Sequence, residues 1–81
     1  MQMTHEEIIR RLGELLEDTL GTSRALTEEL RLMEDLGLSS VDMLYLIIAT
    51  EETFHIRFEN IGIRDVDTVG AVATYIEEHL K

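Results

Sequence analysis

Glu34-Asp-Leu-Gly-Leu-Ser-Ser-Val-Asp42 is the stretch that decides how this chain is read. A Leu-Gly-Leu turn delivers two adjacent hydroxyls to the start of a helical pattern. Ser39 suits the N-cap, because its side-chain oxygen can accept from a free N–H of the first turn. Asp42 then stands at the positive end of the helix dipole. A phosphate carried on Ser40 is favoured at the same place by about 0.3–1 kcal/mol, since free N–H groups and the dipole both attract an anion. Capping alone also accounts for both serines, and it is the commoner reason for such residues before a helix.

The helix that begins there is predicted over Ser40 to Phe54. On a wheel of roughly 3.6 residues per turn, Met43, Leu46, Ile47, Thr50 and Phe54 form one stripe suited to a core. Val41, Leu44, Tyr45 and Ile48 form a second stripe, continued by Glu51 and Glu52. A helix apolar on most sides is either fully buried or presents one face to something else, and spacing alone does not choose between these.

Upstream, Ile8, Ile9, Leu12, Leu15, Leu16 and Leu20 make an amphipathic helix from Thr4 to Leu20. Thr4 with Glu7 is a capping-box pattern, and Gly21 is its stop. Gly13 inside it costs about 1 kcal/mol relative to Ala. Residues 21–39 form a long connection that Leu32, Met33 and Leu36 are expected to anchor, with Gly37 making the last turn. Downstream, Ile56 to Asp67 is irregular, with a single helical turn expected near Glu59–Ile63. Phe54-His-Ile-Arg-Phe58 alternates briefly, as a short strand does. Val69, Val72, Ala73, Ile76 and Leu80 predict a last helix over Thr68 to Leu80. The expected fold is all-α: one domain over residues 1–81, a small bundle of three main helices plus a short helical turn, with a long loop between the first two helices.

Composition narrows the function. The chain has 81 residues, 7 Lys+Arg against 17 Asp+Glu, a formal charge of −10, and no Cys. One small core is possible at this length. The absence of Cys removes any disulfide frame, thiolate metal site or cysteine nucleophile, and fits the cytosol. The acidic balance argues against nucleic acid and membrane surfaces and in favour of basic protein partners. Neither a targeting segment nor an apolar run near the ~20 residues of a membrane span is expected.

Enzyme readings find no support. His5, His55 and His79 are scattered, there is no Gly-x-Ser-x-Gly elbow, and no His pair has the helical spacing of a zinc site. A calcium loop starting at Asp65 fails, because Val69 falls on a ligand position and Ile76 where a bidentate Glu belongs.

Taken with Glu51-Glu-Thr-Phe54 and Thr68-Val-Gly-Ala-Val-Ala-Thr-Tyr-Ile76, the opening stretch resembles the acyl carrier protein family, over most of the chain from Ile8 to Ile76. The family's signature is an Asp-Ser-Leu step after a Leu-Gly turn, and the serine of that step receives a 4′-phosphopantetheine arm. The resemblance therefore implies a covalent cofactor on Ser40, donated from coenzyme A by a phosphopantetheinyl transferase. It implies a monomeric cytoplasmic carrier with no catalysis of its own, whose arm holds acyl groups as thioesters.

The face made of Val41, Asp42, Leu44, Tyr45, Ile48, Glu51 and Glu52 resembles the family's docking helix for basic patches on acyl-loading, condensing or modifying enzymes. Met43, Ile47, Phe58, Val66 and Val69 correspond to an acyl-binding cleft, although helical spacing of apolar residues fits ordinary core as well. Departures from the pattern are informative. Ser39 replaces the usual Asp, keeping the cap but losing a charge; Tyr45 stands where fatty-acid carriers commonly have Glu; Glu59 stands where many have Pro. These point to a carrier of a polyketide or other specialised pathway. An aminoacyl or peptidyl carrier, or a helical adaptor without cofactor, are the alternatives.

Overall fold

The computed structural model describes residues 3–21, 23–59 and 62–80. Along the chain come α1 (His5–Leu20), α2 (Ser40–Phe54), a 3₁₀ turn (Ile63–Val66) and α3 (Val69–His79). Beyond an isolated antiparallel bridge between Arg31 and Thr68, the described residues hold no β-structure. The fold is the all-α arrangement predicted.

Each helix starts where a side chain satisfies free backbone donors. Thr4 and Glu7 close a reciprocal box at α1: the Glu7 N–H donates to the Thr4 hydroxyl (3.1 Å) and the Thr4 N–H to the Glu7 carboxylate (2.9 Å). Thr68 caps α3 by accepting from the Ala71 N–H at 3.0 Å, so α3 proper begins at Val69, and Leu80 is its C-cap rather than its last residue. Gly21 ends α1 at φ 72°, the left-handed conformation a Gly adopts without side-chain strain.

Ile8, Leu12 and Leu16 of α1 pack with Met43, Leu46 and Phe54 of α2 and with Val69, Val72, Ala73 and Ile76 of α3. Complete burial of each of these side chains other than Ala73 contributes about 1.5–3 kcal/mol. Buried Thr50 donates its hydroxyl to the Leu46 carbonyl at 2.7 Å, which removes the penalty of an unpaired polar group in this core. The backbone of helix α1 comes close to those of both α2 and α3, whereas the backbones of α2 and α3 lie further apart and meet through the shared core.

Loop residues complete the core. Leu32 is buried as expected, but Met33 and Leu36 are only half-buried, and Leu30 and Leu38 carry more of the anchoring. Backbone bonds fix the loop to the start of α3. The Leu32 N–H donates to the Asp67 carbonyl (2.9 Å), the Val69 N–H to Leu30 (3.0 Å) and the Gly70 N–H to Glu28 (3.0 Å). Gly70 permits this approach: a Cβ there would collide with the Glu28 carboxylate and lie 3.0 Å from its carbonyl oxygen.

The short helical turn lies later than predicted, at Ile63–Val66 rather than near Glu59–Ile63. Asp65 decides its position, accepting from the Gly62 N–H at 2.9 Å while its own N–H donates to the Gly62 carbonyl at 2.9 Å. Asn60 and Ile61, inside the predicted turn, lie outside the described residues. The alternation of Phe54 to Phe58 is real in burial, with Phe54 and Ile56 inside and His55 and Arg57 outside. It is not a strand: α2 runs through Phe54, His55 turns left-handed at φ 56°, and the following piece has no partner strand among the described residues.

Candidate functional site

The approach to α2 is held by a knot of hydrogen bonds around Asp35. Its carboxylate accepts from the Arg31 N–H (2.8 Å), its N–H donates to the Arg31 carbonyl (2.8 Å), and its carbonyl accepts from the Arg24 guanidinium (3.0 Å). Gly37 then turns at φ 73°, and buried Leu38 donates its N–H to the Leu32 carbonyl at 3.2 Å. Asp35 belongs to the stretch quoted first, yet sequence reasoning gave it no role. An Asp shortly before a Gly turn, able to bond its own backbone neighbourhood, was the available signal.

Two adjacent serines emerge from this knot with different surroundings. The Ser39 hydroxyl accepts from the Asp42 N–H at 3.1 Å, and the Ser39 N–H donates to the Asp42 carboxylate at 3.0 Å. Ser40 is exposed, and among the described residues its hydroxyl has no intramolecular partner. The Met43 N–H goes to the Ser39 carbonyl at 3.0 Å, which leaves the N–H groups of Ser40 and Val41 as the first-turn donors with no partner among the described residues. An exposed nucleophilic oxygen beside two free N–H groups and a positive dipole end is chemically suited to carry a phosphodiester.

Helix α2 presents its second stripe to solvent. Val41 is 59 % exposed, Leu44 53 %, Tyr45 55 % and Ile48 53 %, which resolves the ambiguity left by spacing. The acidic members of the same face are less free than expected. Asp42 is half-buried in the cap, and the half-buried Glu51 accepts from the Phe58 N–H at 2.9 Å. Glu52 is exposed and shares a hollow with Ile48, Glu51, His55 and Arg57.

The five cleft residues do not share one environment. Met43, Val66 and Val69 are sealed in the core, Phe58 packs against its edge, and Ile47 is half-buried outside that cluster. Phe58 stacks on Tyr75 with ring centroids 4.6 Å apart, and Tyr75 stacks on His79 at 4.0 Å. The Tyr75 hydroxyl donates to the Arg57 carbonyl at 2.7 Å and accepts from the Glu59 N–H at 3.3 Å, so Tyr75 pins the segment after α2 to α3. This role was missed, the one sequence cue being the Tyr75/His79 spacing of one helical turn.

Among the described residues, no group of His, Asp and Glu is arranged to hold a metal ion, and no helix is long and apolar enough to cross a membrane.

No family model matches the chain. Individual proteins do. The chain is 31% identical over 78 residues to an acyl carrier protein of Thermotoga maritima, covering 95% of this chain and 96% of that protein. It is 37% identical over 71 residues to an acyl carrier protein of Saccharopolyspora erythraea, covering 86% of this chain and 75% of that one. It is also 30% identical over 79 residues to the meromycolate extension acyl carrier protein of Mycobacterium leprae, covering 96% and 69%.

Proposed function

The chain belongs to the acyl carrier protein family, carriers of acyl intermediates in fatty-acid or related biosynthesis, and from that premise we propose that Ser40 bears the 4′-phosphopantetheine arm. The observation that carries this assignment is the division of labour between the serines: Ser39 spends its hydroxyl on the cap, and Ser40 keeps its own free and exposed. In the transfer step the Ser40 oxygen bonds to the pantetheine-side phosphorus of coenzyme A, its proton passes to the transferase, and the nucleotide half leaves. When bound, the arm supplies a terminal thiol on which acyl groups ride as thioesters. The protein's own residues hold the arm's attachment point and offer a surface; they perform no step of the acyl chemistry.

The free N–H groups of Ser40 and Val41 favour the diester's charge at the helix start. The α2 face next to Ser40 is where a phosphopantetheinyl transferase and the acyl-loading, condensing or modifying enzymes would dock. A net charge of −10 steers basic partner surfaces toward the carrier and keeps copies of it apart, consistent with a monomer working in the cytosol. Shelter for a bound acyl chain would have to open between α2 and α3, whose backbones lie further apart than either does from α1, with Met43, Val66, Val69, Ile47 and Phe58 as the candidates to line it. Incubation with a transferase and coenzyme A tests the attachment site. Modification must vanish in Ser40→Ala with helicity unchanged, and an arm that persists on Ser39 would overturn the assignment.

A further inference from the structure

The interior of this protein offers no ready place for a carried chain. Met43 and Ile76 have no exposed surface, Val66 and Val69 are each 1 % exposed, and all four belong to one packed core. A chain entering there would have to part side chains packed at crystal-like density. Outside, every large apolar side chain that the described residues expose lies on one stripe of α2, Val41, Leu44, Tyr45 and Ile48, and the stripe begins directly after Ser40. Asp42 is held in the Ser39 cap and Glu51 by the Phe58 N–H, so neither carboxylate is left unpaired beside it.

We infer that the outer stripe of α2 is the resting place of a carried acyl group between enzymes, so that cargo is laid on the protein rather than inside it. This rests on the carrier reading above and deepens it by naming the class of cargo that the chain itself holds. A second copy is a poorer occupant, because two chains of −10 repel, whereas an alkyl chain is uncharged and is already tethered at the edge of the stripe.

The length of that cargo follows from simple arithmetic. Laying an alkyl chain against one face covers about half of what full burial would, so each methylene about doubles the resting population. Tethering at Ser40 supplies an effective concentration on the order of 1 mM. About ten doublings, roughly a thousandfold, offset that dilution from the 1 M standard state, so an acyl group of about twelve carbons rests on the stripe half of the time. Acetyl swings free. An enzyme that takes the α2 face displaces the longer cargo from it, which couples docking to delivery.

The test uses the full chain loaded at Ser40 from acetyl- or dodecanoyl-coenzyme A by a broad-specificity phosphopantetheinyl transferase, with loading read by intact mass and side-chain shifts by NMR. Going from the acetyl to the dodecanoyl form should shift the Val41, Leu44, Tyr45 and Ile48 signals at least about threefold more than those of Met43, Val66 and Val69. Dodecanoyl protons should show nuclear Overhauser effects to Leu44 and Ile48. The shifts should survive a roughly tenfold dilution, as a tethered contact does. Comparable or larger changes at Met43, Val66 and Val69 would place the cargo inside, identical spectra for the two forms would leave it swinging free, and shifts that fade on dilution would give the stripe to a second copy. Each of these would overturn the inference and leave the carrier reading intact. A chain that takes neither group would overturn both.

Discussion

The Ser39 hydroxyl accepts the Asp42 N–H at 3.1 Å while the Asp42 carboxylate accepts the Ser39 N–H at 3.0 Å. This reciprocal pair fixes the angle at which α2 leaves the loop, and hence the direction in which Ser40 points. Ser39→Ala should lower stability by about 1 kcal/mol through loss of the cap. It should slow arm transfer without moving the arm from Ser40, because the Ser40 oxygen itself is untouched. Ser39→Asp keeps a capping oxygen and should unfold within about 0.5 kcal/mol of the unaltered chain. Thermal unfolding and intact mass on the same samples check both.

The two faces of α2 predict opposite responses to one substitution. Leu46 is 2 % exposed and Leu44 is 53 % exposed. Leu46→Asp places a carboxylate in the core and should destabilise by more than about 3 kcal/mol, enough to unfold a domain of this size. Leu44→Asp should leave stability within about 0.5 kcal/mol while impairing modification of Ser40. Equal loss of helicity in both variants would show that the outer stripe is also core.

How much of this was legible in the chain follows from how local each cause is. The caps at Thr4, Ser39 and Thr68 are set by residues three positions apart, so helix starts could be read from the sequence. The serine pair was also legible, because capping chemistry separates Ser39 from Ser40 once the helix start is known. Non-local causes were not. Leu30 is buried because the loop pairs with the start of α3, through bonds spanning about half the chain, and Leu38 because its N–H turns back onto Leu32 of that paired loop; no periodicity reports either. Likewise the exposure of Val41, Leu44, Tyr45 and Ile48 depends on where α1 sits against α2. The 3₁₀ turn was misplaced because Asp65 closes it onto Gly62, a competition with the neighbouring residues that composition does not rank.

His5 links three parts of the fold and should make stability depend on pH. Its Nε2 lies 2.6 Å from a Glu28 carboxylate oxygen and its Nδ1 3.0 Å from a Glu77 carboxylate oxygen, tying α1 to the loop and to α3. Carboxylates only accept, so both ring nitrogens donate when the imidazole is protonated. The hydrogen bond to Glu77, aided by Glu28 against a desolvation cost, raises the His5 pKa above its ordinary 6.5. A raised histidine pKa gives stability that is fully present below pH 6.5 and is lost as pH rises through the folded-state value, provided the two carboxylates remain ionised. Unfolding curves across neutral pH should show this decline, and His5→Gln should flatten it. An unchanged slope in His5→Gln would remove His5 as the cause.

Two glycines in helices should respond in opposite directions. A Cβ at Gly13 meets only Leu26, at 3.8 Å and 4.0 Å, which is ordinary contact, so Gly13→Ala should stabilise by about 1 kcal/mol. A Cβ at Gly70 meets the Glu28 carboxylate and, at 3.0 Å, its carbonyl oxygen, so Gly70→Ala should destabilise by about 1–3 kcal/mol as the loop is pushed off α3. Denaturant midpoints compared at constant m-value read both.

The central claim, that this chain is a carrier charged at Ser40, is tested most directly by intact mass after incubation with a broad-specificity phosphopantetheinyl transferase and coenzyme A, followed by fragmentation to locate the added group. The account predicts one 4′-phosphopantetheine per chain, on Ser40, and none on Ser40→Ala. An unchanged mass across several transferases, with the protein folded throughout, would contradict it.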